Sequence, residues 1–101
     1  MNIIVDVSIK EHVSGNKYCL VEAEANGEGI YKASFSFSLE YLFDFVLPEH
    51  RIWFIKETIS QQMKSENKEL GVTNPEFIIK NVDEVLKKCE ELRKKVVASE
   101  I

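Results

Sequence analysis

The chain is poor in the residues that most chemistry needs. It has two histidines in 101 residues, His12 and His50, and neither has a partner at metal-ligand spacing, so no metal site is expected. Its two cysteines, Cys19 and Cys89, are far apart and lie in amphipathic segments. Buried free thiols are therefore expected rather than a disulfide. The four glycines make no phosphate-cradling loop, and there is no nucleophile motif or paired-carboxylate signature. Glu22 and Glu24 share a strand face, but two such acids are the usual dress of a solvated strand. Neither an enzyme nor a cofactor is expected. No apolar run approaches the roughly 20 residues that cross a bilayer, and no basic stretch at the N-terminus precedes an apolar core and cleavage site. A cytoplasmic protein without membrane insertion is the expectation.

What is present describes one small globular domain, residues 1–101, with 45% hydrophobic and 30% charged residues, too apolar to be disordered. A chain this short buries only about two-thirds of its unfolded surface, so its margin as a monomer should be thin. The net charge of -4 is uneven. Residues 1–47 carry seven acids and three bases, whereas 48–74 carry four of each and 75–101 six of each. An acidic N-terminal layer without clustered Lys and Arg argues against nucleic acid. It is a solubilising surface, or a face for a basic protein partner.

Period-two alternation marks three strands. Ile3, Val5, Val7 and Ile9 face one side of the first, with Asp6, Ser8, Lys10 and His12 on the other. Residues 14–17, Ser-Gly-Asn-Lys, have hairpin chemistry. Tyr18 to Ala25 turns Cys19, Val21, Ala23 and Ala25 inward, and Asn26-Gly27-Glu28-Gly29 supplies a second turn. In the third strand Tyr31, Ala33, Phe35 and Phe37 point inward, and Lys32, Ser34 and Ser36 outward. An antiparallel meander over 1–38 with one greasy face results.

The helical layer, 39–101, opens with Leu39 to Ser60, which holds half of the ten aromatic residues and is split by Pro48. Leu39, Leu42, Phe43, Val46 and Leu47 form a helical stripe, although the same stretch alternates well enough to continue the third strand. The helix is preferred because Ser38 can cap it and the strand would be unusually long. Pro48 then suits the first turn of a second helix, with Ile52, Ile55, Ile59, Met63 and Leu70 in one stripe and Trp53 and Phe54 on its flank. That helix should run to about Leu70, with Gly71 as its C′ residue. Asn74-Pro75 is read as the cap and first residue of a last helix, in which Ile78, Val82, Val85, Cys89, Leu92 and Val96 recur at 4, 3, 4, 3 and 4. Such a seam predicts a hairpin against the preceding helix, with Ile79, Leu86 and Val97 beside it.

Two segments resemble the SecB family of export chaperones, which hold unfolded precursor proteins. One is Leu20-Val21-Glu22-Ala23 followed by Gly29-Ile30-Tyr31; the other is Pro48, then Lys56-Glu57, then Ile59-Ser60, at matching spacing from proline to serine. The resemblance covers roughly residues 2–60. Leu47 stands where the family usually has cysteine, Trp53 replaces a second proline and Lys56 replaces arginine; about one N-terminal strand of the family's pattern is missing. A divergent SecB-like protein is the expectation, with an α+β fold in which a meander of three or four strands precedes a short helix and two long ones.

The resemblance implies an apolar client-binding groove drawing on Tyr31, Phe35, Phe37, Tyr41, Phe43, Phe45, Trp53 and Phe54, with Phe45, Trp53 and Phe54 foremost. It implies a partner face at Leu20, Glu22 and Glu24, where the family meets the SecA motor. The expected partners are unfolded or precursor polypeptides, SecA or an antitoxin, and further copies of the chain in a homodimer or homotetramer. A dedicated chaperone for one client and a small assembly module, whose aromatics only build a dimer, are the alternatives.

Overall fold

A computed structural model of the chain describes residues 2–11, 18–26 and 30–99. Its architecture is α+β: a four-stranded sheet in the order β3-β2-β1-β4, with helices packed on one face. β1 (Asn2–Glu11), β2 (Tyr18–Asn26) and β3 (Ile30–Ser38) pair antiparallel, as the alternation predicts. The expected turn residues 14–17 and 27–29, and His12, lie outside the described residues.

The register places Val7 opposite Ala23 and Ala23 opposite Ala33, Val21 opposite Phe35, and Cys19 opposite Phe37. Ile3, Val5, Val7, Cys19, Val21, Ala23, Ala25, Ala33 and Phe37 are buried on the inner face, whereas Asp6, Ser8, Lys10, Glu24, Lys32, Ser34 and Ser36 are exposed on the outer one. Three of the inner residues are alanines, which let the helices approach closely. Onto this face come Leu39, Leu42, Ile55, Ile59, Met63 and Leu70, all essentially solvent-free. Each large aliphatic so buried contributes about 1.5–3 kcal/mol relative to an exposed one.

From Leu39 to Phe45 the chain is helical, not a continued strand, but Val46 and Leu47, the last residues of the expected stripe, are extended. It tightens into a π-helical turn over Tyr41–Phe45, followed by a 3-10 turn at Pro48–His50 and α1 (Arg51–Glu66). α1 packs against β3 and against α3 (Val82–Ser99), which also covers β1. Among the residues of α3 whose burial is described, Val85, Cys89 and Leu92 are buried, in keeping with the expected seam, with Leu86 packed beside them. The side chains of Val96 and Val97 lie outside the description.

Two expectations about the helical layer are corrected. The long helix does not run unbroken to Leu70; it stops at Asn67, whose backbone is extended, and α2 (Lys68–Thr73) follows. Asn67 serves both ends. Its N–H closes α1 on the Met63 carbonyl at 3.1 Å, and its own carbonyl accepts the Leu70 N–H at 2.9 Å to open α2. Its side-chain amide also donates to the Lys32 carbonyl on β3 at 3.0 Å, so the break is fixed by a contact with the sheet. Gly71 consequently lies inside α2 and is not a cap.

The second correction concerns Asn74-Pro75, which does not open the last helix. Asn74 adopts the left-handed conformation (φ 46°) and closes α2 by donating its N–H to the Leu70 carbonyl at 2.9 Å. Asparagine tolerates this conformation, and proline commonly follows such a cap. Residues Glu76–Ile79 then form β4, parallel to β1, with Phe77 opposite Ile3 and Ile79 opposite Val5. The sheet is therefore mixed rather than wholly antiparallel, and Ile78 points outward, exposed beside Ile4.

Asn81 completes this edge. Its amide donates to the Val7 carbonyl at 2.9 Å while its side-chain oxygen accepts the Val7 N–H at 3.4 Å, replacing a strand pair with a side chain. Its backbone carbonyl accepts the Val85 N–H at 3.0 Å and starts α3.

Candidate functional site

The eight groove residues of the sequence reading divide by depth. Phe37 is buried; Tyr31, Phe35, Phe43 and Phe54 are half-buried and pack against the core; Tyr41, Phe45 and Trp53 are exposed. The exposed three and Leu47 are the large apolar residues open to solvent between residues 41 and 53, at 50% (Tyr41), 71% (Phe45), 58% (Leu47) and 62% (Trp53) exposure. Contiguous exposed apolar surface is what marks a binding role, and Tyr41 and Phe45 are contiguous through their rings.

Local backbone geometry explains the pairing of rings. Val46 donates its N–H to the Tyr41 carbonyl at 3.1 Å, an i to i−5 bond that widens the turn. In a turn of this width residues i and i+4 lie nearly above one another, and the rings of Tyr41 and Phe45 stack at 5.7 Å with 19° between their planes. Phe54 of α1 lies 5.3 Å from Tyr41 and 5.8 Å from Phe37. Phe37, Phe54, Tyr41 and Phe45 therefore make a continuous ring path from core to solvent.

Three side chains hold the turn, Ser38, Arg51 and Arg93. Ser38 accepts the Tyr41 N–H on its Oγ at 3.1 Å, the cap that the sequence predicts. Arg51 donates from Nε to the Leu42 carbonyl at 3.2 Å and from its terminal nitrogen to the Phe43 carbonyl at 2.9 Å, with its guanidinium 4.9 Å from the Phe43 ring centre. Arg93 of α3 pairs with Asp44 at 2.9 Å. Neither arginine was singled out from sequence, since neither falls on an apolar stripe; the signal available was a cation just after a helix end, where free carbonyls gather. Trp53, one residue before Phe54, sits about 100° further round α1 and so presents a neighbouring face.

Tyr31 belongs to a different place, with its hydroxyl donating to Glu69 at 3.3 Å. The proposed partner face lies on the sheet side away from the helices. There Glu22 pairs with Lys10 at 3.2 Å, and Asp6, Glu24 and Lys32 stand in one cross-strand row. Glu22 and Glu24, with Asp6, Ser8, Lys32 and Glu66, line a shallow trough of ≈ 420 Å³. Leu20 is half-buried on the same strand face. The Lys10–Glu22 pair is largely exposed and adds little stability.

Cys19 and Cys89 are both free and buried, in agreement with the sequence reading. The Cys89 thiol donates toward the Cys19 sulfur; this hydrogen bond lowers the Cys19 pKa and, together with burial, pushes Cys89 far above the ordinary thiol range. Among the described residues no group of three or more His, Cys, Asp or Glu could hold a metal ion, and no helix is long and apolar enough to cross a membrane. In comparisons with protein-family models, with curated proteins and with solved structures, the chain matches none of them.

Proposed function

We propose that the chain is a passive binder of non-native polypeptide, acting in the cytoplasm without a nucleotide or cofactor in the manner of a SecB-like holdase. The observation that carries this reading is the exposure of Tyr41 and Phe45 on a turn held by Arg51, together with that of Leu47 after the turn and Trp53 on α1. Flat aromatic rings offer large contact area at low entropic cost and accept many apolar sequences. An apolar client segment would release water from these rings, and further copies of the chain in a homodimer or homotetramer would raise its residence time by avidity. Precursor proteins or an antitoxin would be such clients. A motor such as SecA would meet the outer sheet face at Leu20, Glu22 and Glu24.

The same exposed surface favours a second reading, in which it is the seam between two copies of the chain. One experiment separates them. Aggregation of an unrelated unfolded protein is followed with wild type, Trp53→Ala and Phe45→Ala, each sized by light scattering. The holdase predicts protection that weakens several-fold in both variants at unchanged mass. Absence of protection by a folded wild type would sink general chaperoning, and loss of a dimer in the variants would identify the surface as an assembly seam.

A further inference from the structure

The outer edge of β3 is covered along part of its length and open along the rest. β3 is an edge strand beside β2, with Glu22 opposite Ser34 and Leu20 opposite Ser36. At the end of α1, the Glu66 carboxylate accepts the Ser34 N–H at 3.3 Å and the Asn67 amide donates to the Lys32 carbonyl at 3.0 Å. Residues 32 and 34 therefore turn their backbone groups away from β2, and 36 and 38 do the same, because pairing in an antiparallel ladder alternates. Covering an edge in this way keeps other strands off it. Beyond Ser34 the cover stops. Among the described residues the Ser34 carbonyl, both backbone groups of Ser36 and the Ser38 N–H have no partner. The Ser38 carbonyl is different, since Ser38 caps the helix that begins at Leu39, and a residue so placed gives its carbonyl to the first helical bond.

We propose that this open edge is the seam of a homodimer, in which β3 pairs antiparallel with β3 of a second copy about a two-fold axis at Ser36. What selects a second copy is that the open groups complement themselves. Laid antiparallel about Ser36, the strand puts its Ser36 N–H on the carbonyl of the partner's Ser36 and its Ser38 N–H on the carbonyl of the partner's Ser34, each bond occurring once in either direction. The pairing left over, Ser34 N–H to the carbonyl of the partner's Ser38, joins the two groups that each copy has already satisfied within itself. A two-fold contact requires this kind of match, i to j and j to i.

The side chains agree with the backbone. On the outer face only serines, at 34, 36 and 38, meet across the seam, so no charge opposes its own copy. On the inner face half-buried Phe35 comes opposite the partner's Phe37, an aromatic cross-strand pair of the favoured kind. The two four-stranded sheets become one. Tyr41, Phe45 and Trp53 take no part in the pairing, so this seam is distinct from the aromatic surface and stands whether or not that surface holds a client.

The test measures mass against concentration by sedimentation, for the wild-type chain and for variants whose folding is checked by circular dichroism. Wild type should be a dimer that dissociates on dilution. Ser36→Lys sets two ammonium groups opposite each other at the axis, and Ser36→Pro removes the N–H that makes both central bonds without breaking one inside the chain. Each should raise the dissociation constant by at least about tenfold, for the like-charge clash or the lost hydrogen bonds. Ser8→Lys, the same change on the outer face of the central strand β1, should leave the dimer intact, and so should Trp53→Ala. The Ser38 amide should be protected from exchange in concentrated wild type and exchange freely in Ser36→Lys. A wild type still monomeric at millimolar concentration, or a folded Ser36→Lys that associates as tightly as wild type, would overturn the proposal. Dissociation by Trp53→Ala with Ser36→Lys unaffected would overturn it too, by moving the seam to the aromatic surface. A dimer that Ser36→Lys breaks but that protects no unfolded protein would sink the holdase reading and support this seam.

Discussion

The guanidinium of Arg51 covers the Phe43 ring at 4.9 Å while it satisfies the carbonyls of Leu42 and Phe43. One side chain therefore closes the end of the π-helical turn and seats it on α1. Arg51→Ala should cost about 1–3 kcal/mol in urea unfolding, from two lost hydrogen bonds to part-buried carbonyls and a lost ring contact. Arg51→Lys should recover less than half of that, because an ammonium cannot reproduce the fork. Near-UV circular dichroism should weaken in Arg51→Ala as Tyr41 and Phe45 lose their fixed stacking.

Trp53 and Leu42 should separate surface from core. Trp53→Ala removes an exposed ring and should shift stability by no more than about 0.5 kcal/mol, whereas Leu42→Ala empties a solvent-free position and should cost about 2–5 kcal/mol. Chemical denaturation of the two variants checks this. A large loss in Trp53→Ala would show that the ring packs against something and is not available to a client.

Gly71 offers a test of the corrected helix boundary. A glycine at C′ in the left-handed region would resist substitution, but Gly71 lies within α2, and a Cβ there would meet only the Lys64 carbonyl at 3.5 Å, an ordinary contact. Gly71→Ala should raise stability by about 0.5–1 kcal/mol. A fall of similar size in the urea midpoint would restore the cap.

Asn81 should be among the least replaceable polar residues. Asn81→Ala leaves the part-buried N–H and carbonyl of Val7 without their partner, at a cost of about 1–3 kcal/mol, and should speed amide exchange at Val7. Asn81→Asp should fail to rescue it, since a carboxylate can accept the N–H but not donate to the carbonyl.

The thiol pair gives stability a slope in alkaline solution. Cys89 is held protonated in the fold by its hydrogen bond to Cys19 and by burial. Because its folded pKa is raised, the stabilisation is complete below the unfolded thiol value of about 8.5 and is lost progressively above it. The slope approaches about -1.4 kcal/mol per pH unit for the one extra proton retained. Urea titrations between pH 7 and 10.5 should show that slope in wild type relative to Cys89→Ala.

The meander was legible because inward positions such as Val5, Val21 and Ala33 recur with period two, and burial on one face enforces that period. The helix after β3 was legible from Ser38 and the Leu39–Leu42 spacing. β4 was not, because Asn74-Pro75 fits both a helix start and a left-handed helix end, while Ile78 extends the heptad spacing of α3 by coincidence. Only pairing with β1 decides between them, and that pairing joins distant parts of the chain. The stop at Asn67 likewise depends on Lys32 of β3. For the site, sequence identified the aromatic segment but not which rings reach solvent, since an i to i−5 bond leaves no mark on an apolar stripe.

The placement of β1 orders events during synthesis. Of the four strands of the sheet β1 is made before the others, yet one side of it is completed by β4 and by an asparagine 74 residues after Val7. A growing chain can assemble β1, β2 and β3 as a hairpin pair, but β1 keeps an open edge until residue 81 is available. Closure through so distant a contact is slow compared with local helix formation, so the nascent sheet passes through a period in which the open edge of β1 can pair with a neighbouring chain.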